Sequence, residues 1–388
     1  MDFKKELDLC LSKLNGETND SWQDIVDELG VEIHPDTLRR MAYGYRRYDD
    51  YLNSLELTSA DEEKIKELKE KMLDIKKKRQ QLSDERTYTN EKIRNLSRIE
   101  DFISCFKEEL ELLAFEKPFI VDKEFIQDEG ISRNEGILLL SDIHFGLEIN
   151  LPVNTYSPVI AKARMVKLKS NVLEYCKLHG IKSLHILELG DTISGHIHNT
   201  IRLKNRLSVS KQIIGVAEMI SWLLFELSKE IECINFSMVE GNHDRIIPDK
   251  KDNLNEDSFC VLIHELIKQR CKGIKNLKIN EYNNKTFADI EVCGHYCVGV
   301  HGDKDKASSL VDGIQSITQR QPDFLFMGHI HNSNESTLNR TEVITNGSFC
   351  GTDEYAYNLR KNSKPIQKFM VMNREGRKCT YNIDVSKI

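Results

Sequence analysis

Five short polar segments in the second half of the chain have side chains that could hold metal ions. The segments are Ser141-Asp142-Ile143-His144, Gly190-Asp191, Gly241-Asn242-His243-Asp244, His301-Gly302-Asp303 and Gly328-His329-Ile330-His331. Each follows a short apolar run that predicts a buried strand. A lone histidine is usually a core or surface residue, but five strand ends of this kind are hard to obtain by chance. Because sites in open α/β sheets form beyond the carboxyl ends of strands, we expect these side chains to share one edge.

The donor atoms of these segments indicate the class of metal. Imidazole nitrogens, carboxylates and amide oxygens suit Mn²⁺, Fe²⁺ or Zn²⁺ better than Ca²⁺. Two ions about 3.5–4 Å apart need a shared anionic ligand, and a carboxylate such as Asp191 can bridge them. Such a pair lowers the pKa of a bridging water, and the resulting hydroxide can attack phosphorus in line. The sequence therefore predicts two divalent ions, with Mn²⁺ favoured and Fe²⁺, Zn²⁺ or Mg²⁺ as alternatives.

The five segments resemble the motifs of the calcineurin-like metallophosphoesterase superfamily, over about residues 136–350. The resemblance implies two mixed sheets packed face to face, with helices outside and a two-metal site on one edge. It implies that one ion is held by Asp142, His144 and His331, that the other is held by Asn242, His301 and His329, and that Asp191 bridges both.

The resemblance also assigns the residues of the third segment that are not metal ligands. It implies that His243 lies near the leaving oxygen as proton donor or charge stabiliser, and Asp244 could orient it. The repair nucleases that act on double-strand breaks share the five motifs, but this chain lacks a long insertion typical of their capping domain.

The whole layout is similar to a group of tailed-bacteriophage proteins that join a helix-turn-helix to a metallophosphoesterase domain. Those proteins are commonly described as candidate DNA exonucleases. The similarity lies in residues 301–306 and 346–360. It implies DNA as the partner and a bacterial cytoplasm as the location. Phosphatase or phosphodiesterase activity on a small nucleotide or phosphoprotein remains the alternative, and a DNA-binding scaffold is the third hypothesis.

Strand and helix patterns alternate after residue 136, which is typical of an α/β fold. Strands are predicted at 136–140, 184–189, 233–239, 296–300, 324–327 and 343–345, and helices at 162–178 and 212–229. The predicted fold class is a metallophosphoesterase two-sheet sandwich flanked by helices, preceded by an all-α N-terminal region. We expect three domains, at 1–54, 55–118 and 119–388.

The first 54 residues predict a helix-turn-helix. Ser21 can cap a helix over 22–29 that Gly30 ends, and Pro35 can open a third helix. Basic residues interleaved with tyrosines follow on that helix and suit contacts with phosphates and bases. The candidate DNA-binding residues are Arg39, Arg40, Arg46 and Arg47. The alternative is a small helical cap whose charges are solvated.

Residues 56–112 lack Pro and Gly and predict a charged helical arm. Leu68, Met72 and Ile75 follow the spacing of a coiled-coil seam, Arg79 interrupts it and Leu82 resumes it. The arm could pair with a second copy in a homodimer, fold back as a hairpin, or serve as a solvated connector helix.

Basic and histidine side chains follow several of the motifs and predict a rim around the metal edge. Such a rim suits a polyanion better than a small neutral ester. The candidate substrate-binding residues are His196, His198, Arg202, Arg206, Arg245 and Lys304. The alternative is ordinary surface charge.

Composition excludes several classes of protein. The chain has 388 residues and a formal net charge of -7, so it is not a uniformly basic, histone-like binder. No apolar run approaches the roughly 20 residues that span a bilayer, and the first residues lack the apolar core of a signal peptide. We therefore expect a cytoplasmic protein without a membrane partner. Its ten cysteines have no paired spacing, which favours free thiols.

Overall fold

The computed structural model describes residues 3–53, 59–113, 116–121, 134–197, 204–247, 257–282, 286–304 and 309–387. The chain divides into two compact units, Met1–Asn95 and Leu96–Ile388. The boundary between them lies inside one long helix. His198 and Arg202, both predicted to bind substrate, lie outside the described residues.

The first unit begins with three helices: α1 (Phe3–Asn15), α2 (Trp22–Leu29) and α3 (Pro35–Asn53). The Ser21 hydroxyl accepts a hydrogen bond from the Asp24 N–H, and the Asp24 carboxylate accepts one from the Ser21 N–H. Gly30 ends α2 with φ at 62°, in the left-handed region that suits glycine. A small core of Cys10, Ile25, Val26, Leu38 and Ala42 joins the three helices.

The predicted arm is a single helix, α4 (Ser59–Leu113), 55 residues long. It is continuous, so this stretch does not fold back as a hairpin. Several apolar side chains of the predicted seam are exposed, among them Leu68 at 44%, Met72 at 48% and Ile75 at 53%. The homodimer and the connector helix both remain compatible with this arrangement.

The second unit has fifteen strands and five further helices among its described residues. The strands are β1 (Ile120–Val121), β2 (Glu135–Leu140), β3 (Ile149–Leu151), β4 (Asn154–Tyr156), β5 (Ser183–Glu188), β6 (Cys233–Met238), β7 (Gly273–Ile274), β8 (Leu277–Ile279), β9 (Phe287–Val292), β10 (His295–Val300), β11 (Phe324–Met327), β12 (Asn334–Leu338), β13 (Thr341–Thr345), β14 (Ile366–Asn373) and β15 (Gly376–Asp384). The helices are α5 (Pro158–His179), α6 (Val209–Ser228), α7 (Phe259–Cys271), α8 (Leu310–Thr318) and α9 (Glu354–Asn358).

Two large sheets form the centre of this unit. One has six strands in the order β15-β14-β2-β5-β6-β8, and the other has five in the order β12-β13-β11-β10-β9. Both sheets are mixed. In the six-stranded sheet β2, β5, β6 and β8 run parallel while β14 and β15 pair antiparallel. In the five-stranded sheet β10, β11 and β13 run parallel while β9 and β12 pair antiparallel. Two short two-stranded sheets, β1-β7 and β3-β4, complete the unit.

The two large sheets pack face to face, with helices on their outer faces. Ile137 and Leu139 of β2 lie in one buried cluster with Phe326 and Ile344 of the five-stranded sheet. The alternate residues of β2, among them Leu138, contribute to a second cluster with side chains of α5, α6 and α7. The outer face of the five-stranded sheet is covered by α8. The predicted two-sheet sandwich flanked by helices is confirmed.

The hairpin of β14 and β15, which forms one edge of the six-stranded sheet, was not predicted. The signal for it was present, since Phe369, Met370, Val371 and Met372 form a continuous apolar run and Gly376 follows the turn. All ten cysteines are free thiols. Among the described residues, no helix is both long and apolar enough to cross a bilayer.

Candidate metal centre

The predicted ligands converge at one edge of the sandwich. Asp142, Asp191 and Asn242 follow the carboxyl ends of β2, β5 and β6, which run parallel. His301 and His329 follow the ends of β10 and β11, which are also parallel. Parallel strands deliver their ends to the same side, so both sheets contribute to one cluster of side chains.

Four of these residues form a first group of donor atoms. His331 Nε2 lies 3.2 Å from Asp142 Oδ1, and 3.3 Å from His144 Nε2. His144 Nε2 lies 3.6 Å from Asp191 Oδ2. All four donors lie within 4.8 Å of one another.

A second group shares Asp191 with the first. It contains Asp191, His301 and His329, again with donor atoms within 4.8 Å of one another. His301 Nε2 lies 3.3 Å from Asp191 Oδ2, and 3.2 Å from Asn242 Oδ1. The structure thus brings all seven predicted ligands together and divides them as the resemblance implies, with Asp191 common to both groups.

These residues fit two divalent ions. Neighbouring donors bound to one ion at about 2.0–2.2 Å lie about 2.8–3.6 Å apart in octahedral or tetrahedral geometry. The neighbouring donor pairs above have separations close to this range. Among the described residues, Asp142 Oδ2 is buried without a hydrogen-bond partner. A buried carboxylate oxygen is costly unless it is paired or binds a metal.

The two large sheets and the two groups of donor atoms that share Asp191 agree with the arrangement that the resemblance in the sequence implies.

Comparisons with known proteins gave one curated relative and several solved structures. No family model matches the chain. An SPbeta prophage-derived uncharacterized protein, YonJ, of Bacillus subtilis is 23% identical over 248 residues, which cover 60% of this chain and 61% of that protein. The matched region therefore spans about three fifths of the relative's length.

The similar solved structures match about two thirds of this chain and nearly all of their own length. An archaeal phosphodiesterase is 14% identical over 64% of this chain and 98% of its own, with a TM-score of 0.32. Vacuolar Protein Sorting 29 of Cryptosporidium parvum is 14% identical over 65% and 98%, with a TM-score of 0.31. A predicted phosphoesterase of Streptococcus pneumoniae is 9% identical over 64% and 97%, with a TM-score of 0.29.

The backbone of the metal centre is strained at the ligand residues. Five of the seven ligand residues have φ in the left-handed region, which side chains other than glycine rarely adopt. They are Asp142 at 53°, His144 at 45°, Asp191 at 54°, His329 at 63° and His331 at 58°. Each such residue costs on the order of 1–3 kcal/mol and persists only where the surroundings hold it. The fold therefore retains strain at the points where it delivers a donor atom.

Hydrogen bonds set the protonation of the ligands. The Leu189 carbonyl accepts from His301 Nδ1 at 2.7 Å, so Nδ1 carries a proton and Nε2 is the nitrogen that faces Asp191. Burial opposes charge on His301, but the Asp191 carboxylate outweighs it and raises the pKa of His301 to about 10. Burial, reinforced by His243, lowers the pKa of His144 to about 3. Metal binding must therefore displace a proton from His301 but not from His144.

The third motif contributes His243, a histidine that is not among the predicted metal ligands. The Ser194 carbonyl accepts from His243 Nδ1 at 2.9 Å, and the His243 ring meets the His144 ring edge-on with centroids 4.6 Å apart. Asp244 was predicted to orient His243. Its carboxylate instead accepts from the backbone N–H groups of Gly241, Asp191 and Ile193, at 2.8, 3.0 and 3.3 Å. Ser194, a backbone acceptor that residue type cannot reveal, has the orienting contact.

Asp244 is itself buried, and its carboxyl group has a raised pKa. Burial, together with the neighbouring Asp191 carboxylate, raises the pKa of Asp244 to about 6. Hydrogen bonds from the backbone N–H groups of Gly241 and Ile193 oppose this rise in pKa. Its position favours a role in holding two motif loops together rather than a role at the reacting atoms.

The predicted basic rim is largely paired with glutamates. Lys304 Nζ lies 2.7 Å from Glu240, and Arg206 lies 3.6 Å from Glu148. Lys204 and Lys211 of the same segment pair with Glu354 and Glu109. The negative charge of these glutamates weakens the positive field that the sequence pattern suggested. The pairs could not be predicted, because each glutamate lies far from its cation in sequence.

The other two rim residues that the structure describes lie close to the third motif. Arg245 directly follows it and has a half-buried side chain whose Nε lacks a hydrogen-bond partner among the described residues. The His196 ring packs edge-on against Phe259 with centroids 5.7 Å apart. Their role in substrate binding stays a prediction.

The four arginines of α3 are all exposed, as their predicted role requires. They differ in their contacts. Arg39 lies 3.4 Å from Asp36, and the Arg46 guanidinium donates to the Leu14 carbonyl at 3.2 Å. Arg46 therefore links α3 to α1, whereas Arg40 and Arg47 are exposed without such a link in the described contacts.

Proposed function

We propose that this protein is a two-metal phosphodiesterase that cleaves DNA, with its helical N-terminal unit as the DNA grip. The observation that carries the hydrolase is the pair of ligand groups that share the buried Asp191. A carboxylate common to two groups of nitrogen and oxygen donors is the arrangement that two adjacent dications need.

The residues would divide the two ions between them. Asp142, His144 and His331 would hold one ion, while Asn242, His301 and His329 would hold the other. Two ions at this place supply an activated water and neutralise the charge that develops on the phosphoryl oxygens. Mn²⁺ is the ion that we favour, since imidazole with carboxylate and amide donors suits it.

His243 would protonate the leaving oxygen. Its Nδ1–H is fixed on the Ser194 carbonyl, so Nε2 is the nitrogen that can pass a proton. The ring lies against His144, a ligand, which keeps it at the edge where phosphorus would bind. A sugar hydroxyl is a poor leaving group without a proton, so DNA cleavage would depend on this residue.

Two observations support DNA as the substrate. The three-helix unit presents Arg39, Arg40 and Arg47 on one exposed helix, together with Tyr43, which is 58% exposed. Cations and exposed aromatics on one helix suit phosphate contacts and stacking. The match to a prophage-derived protein agrees with action on DNA in a bacterial cytoplasm.

A small phosphoester is the alternative substrate, and the rim favours it. Lys204, Arg206, Lys211 and Lys304 each have a glutamate partner, so little unpaired positive charge surrounds the edge in the described residues. A nucleotide or phosphoprotein site needs less of a positive field than a DNA duplex does.

We further propose that α4 pairs with α4 of a second copy. Leu68, Met72 and Ile75 recur at spacings of four and three residues and are exposed along the helix. A two-stranded coiled coil would bury this seam. The paired helices would then set the distance between the N-terminal DNA-binding units of the two chains.

One experiment separates the substrate classes. Purified protein with Mn²⁺ is assayed on labelled linear, circular and single-stranded DNA, beside bis-p-nitrophenyl phosphate and cyclic nucleotides. Metal-dependent cleavage of DNA supports the proposal. Hydrolysis of the small esters alone would favour the alternative substrate, and DNA binding without hydrolysis of any substrate would favour a scaffold.

A further inference from the structure

A buried group of three side chains lies behind one half of the metal centre. Asn154 and Tyr156 belong to β4, and Arg164 lies on α5. Arg164 is only 3% exposed. These residues, here called the brace, are outside the ligand set and carry no role in the proposed reaction.

Arg164 is held by oxygen atoms of the chain rather than by a carboxylate. Its Nη1 donates to the carbonyls of Phe349 and Cys350 at 2.8 and 2.9 Å. Its Nη2 donates to Asn154 Oδ1 and to the Thr155 carbonyl at 3.0 and 3.1 Å. A buried guanidinium is costly unless its donors are paired, and these four contacts pair both terminal nitrogens and fix the segment around Phe349 to α5. Its Nε has no hydrogen-bond partner among the described residues.

That segment in turn holds the backbone of Asp142. The Phe349 N–H donates to the Ser141 carbonyl at 3.2 Å, and the Cys350 N–H donates to the Asp142 carbonyl at 3.1 Å. The Ser348 hydroxyl also donates to the Asp142 carbonyl, at 3.4 Å. Arg164 is therefore linked to the predicted ligand Asp142 through one intervening residue, Cys350, and to the neighbouring Ser141 through Phe349.

Tyr156 reaches the same turn from its other side. Its hydroxyl donates to the carbonyl of Ile143, the residue between Asp142 and His144. The Arg164 guanidinium lies 5.1 Å from the centre of the Tyr156 ring. Two consecutive carbonyls of this turn are thus held: Tyr156 bonds that of Ile143 directly, and the segment that Arg164 fixes bonds that of Asp142. The ligand residues of the turn, Asp142 and His144, both have left-handed φ.

We infer that Arg164 and Tyr156 are positioning residues for one metal ion, the one held by Asp142, His144 and His331. They hold the strained turn that aims Asp142 and His144. The other ion has separate supports, since His301 is oriented by the Leu189 carbonyl. Loss of the brace should therefore weaken one ion and spare the other.

The inference rests on the proposed two-metal site, and its test reads metal binding rather than turnover. Arg164→Lys keeps the charge but loses the planar fork, and Tyr156→Phe removes a single oxygen. Titration with Mn²⁺ by calorimetry, with electron paramagnetic resonance of the bound ions, gives the affinity and coupling of each ion. Supporting residues around metal ligands contribute about 10–100-fold in affinity. We expect a loss of this size for one ion in both variants, with an uncoupled Mn²⁺ signal at intermediate loading.

Asn276→Ala is the matched control. Asn276 also clamps two carbonyls, those of Ser228 and Ile231 at 2.9 and 2.7 Å, but it touches no ligand segment. This variant should lower the melting temperature and leave both Mn²⁺ affinities unchanged. If the Arg164 and Tyr156 variants bind both ions with wild-type affinity, the inference about the brace is overturned and the proposed two-metal function is not affected. Wild-type protein that binds no Mn²⁺ would overturn the two-metal function as well, and equal loss of both ions in the variants would refute the selective role.

Discussion

The carboxylate of Asp244 accepts a hydrogen bond from the backbone N–H of Asp191 at 3.0 Å, across two motif loops. A second hydrogen bond joins the same loops in the opposite direction, since Asp191 Oδ1 accepts from the N–H of His243 at 2.8 Å. The loops approach so closely that a Cβ on Gly241 would lie 2.0 Å from the Asp191 nitrogen. The glycine of this motif is thus required by the approach of the bridging ligand, and Asp244 acts as a clasp between the loops.

Asp191→Asn should abolish hydrolysis while leaving the fold intact. The Asn amide can still accept from the His243 N–H through its oxygen, so the contact between the loops persists. The negative charge shared by the two ligand groups is lost. We expect metal affinity to fall by more than the roughly 100-fold typical of outer supporting residues, as measured by Mn²⁺ titration. Wild-type turnover in this variant would mean that the bridging ligand is misassigned.

His243→Ala should separate chemistry from metal binding. Both ions should stay bound, since the ring contacts His144 but is not among the donors of either group. Loss of a general acid costs about 10²–10⁴-fold on a leaving group that needs a proton. We expect that loss on DNA and a much smaller one on bis-p-nitrophenyl phosphate, because nitrophenolate leaves without a proton. Equal losses on the two substrates would contradict the role in proton transfer.

The strand ends of the metal centre could be predicted because residue type alone marks them. Asp142 and His329 follow apolar runs, and parallel strands must deliver their ends together. The supports of these ligands could not be predicted, since Leu189 and Ser194 act through backbone carbonyls. Nor could the glutamate partners of the rim, because Lys204 and Glu354 are joined only by the tertiary fold.

Glu335→Gln should destabilise the second unit. Glu335 lies on β12 of the five-stranded sheet and meets Lys368 of the six-stranded sheet at 2.8 Å. The Lys368 side chain is only 1% exposed, so a neutral partner leaves its charge poorly compensated. We expect a loss of about 1–3 kcal/mol in the free energy of unfolding, measured by urea denaturation at pH 7. The added change Lys368→Met should recover part of it, since a hydrophobic replacement removes the buried charge.

The same ion pair predicts a pH dependence. Burial alone would raise the pKa of Glu335, but hydrogen bonds from Lys368 and Arg377 outweigh it and hold the pKa below its usual range. A carboxyl whose pKa is lowered by folding stabilises the protein above its unfolded pKa, about 4.3 for Glu. That stability is lost as the pH falls through the folded value. The unfolding curves of wild type and Glu335→Gln should therefore converge below about pH 4.3, and a constant gap would contradict the ion pair.

Replacement of Arg39 and Arg40 by Ala should weaken DNA binding without affecting hydrolysis of a small ester. Each neutralised phosphate contributes about 0.9 to the slope of log affinity against log salt on duplex DNA. We expect the slope to flatten by up to roughly two units if both side chains contact phosphate. Lys5→Ala with Lys13→Ala removes the same charge from α1 and is the control. An unchanged salt slope in the α3 variant would contradict the proposal that the N-terminal unit binds DNA, and it would not contradict the proposed hydrolase activity.

Met72→Glu with Ile75→Glu should abolish association through α4. Both side chains are exposed and lie in the predicted seam, where buried like charges in a two-stranded coiled coil repel. Sedimentation equilibrium should give twice the chain mass for the wild type and a single chain mass for the variant. Leu73→Glu is the matched control, because Leu73 is 55% exposed but lies off the seam. Arg79→Leu should tighten the dimer, since it restores an apolar residue at the interrupted position of the seam. A wild-type protein that stays monomeric at all concentrations would make α4 a connector helix.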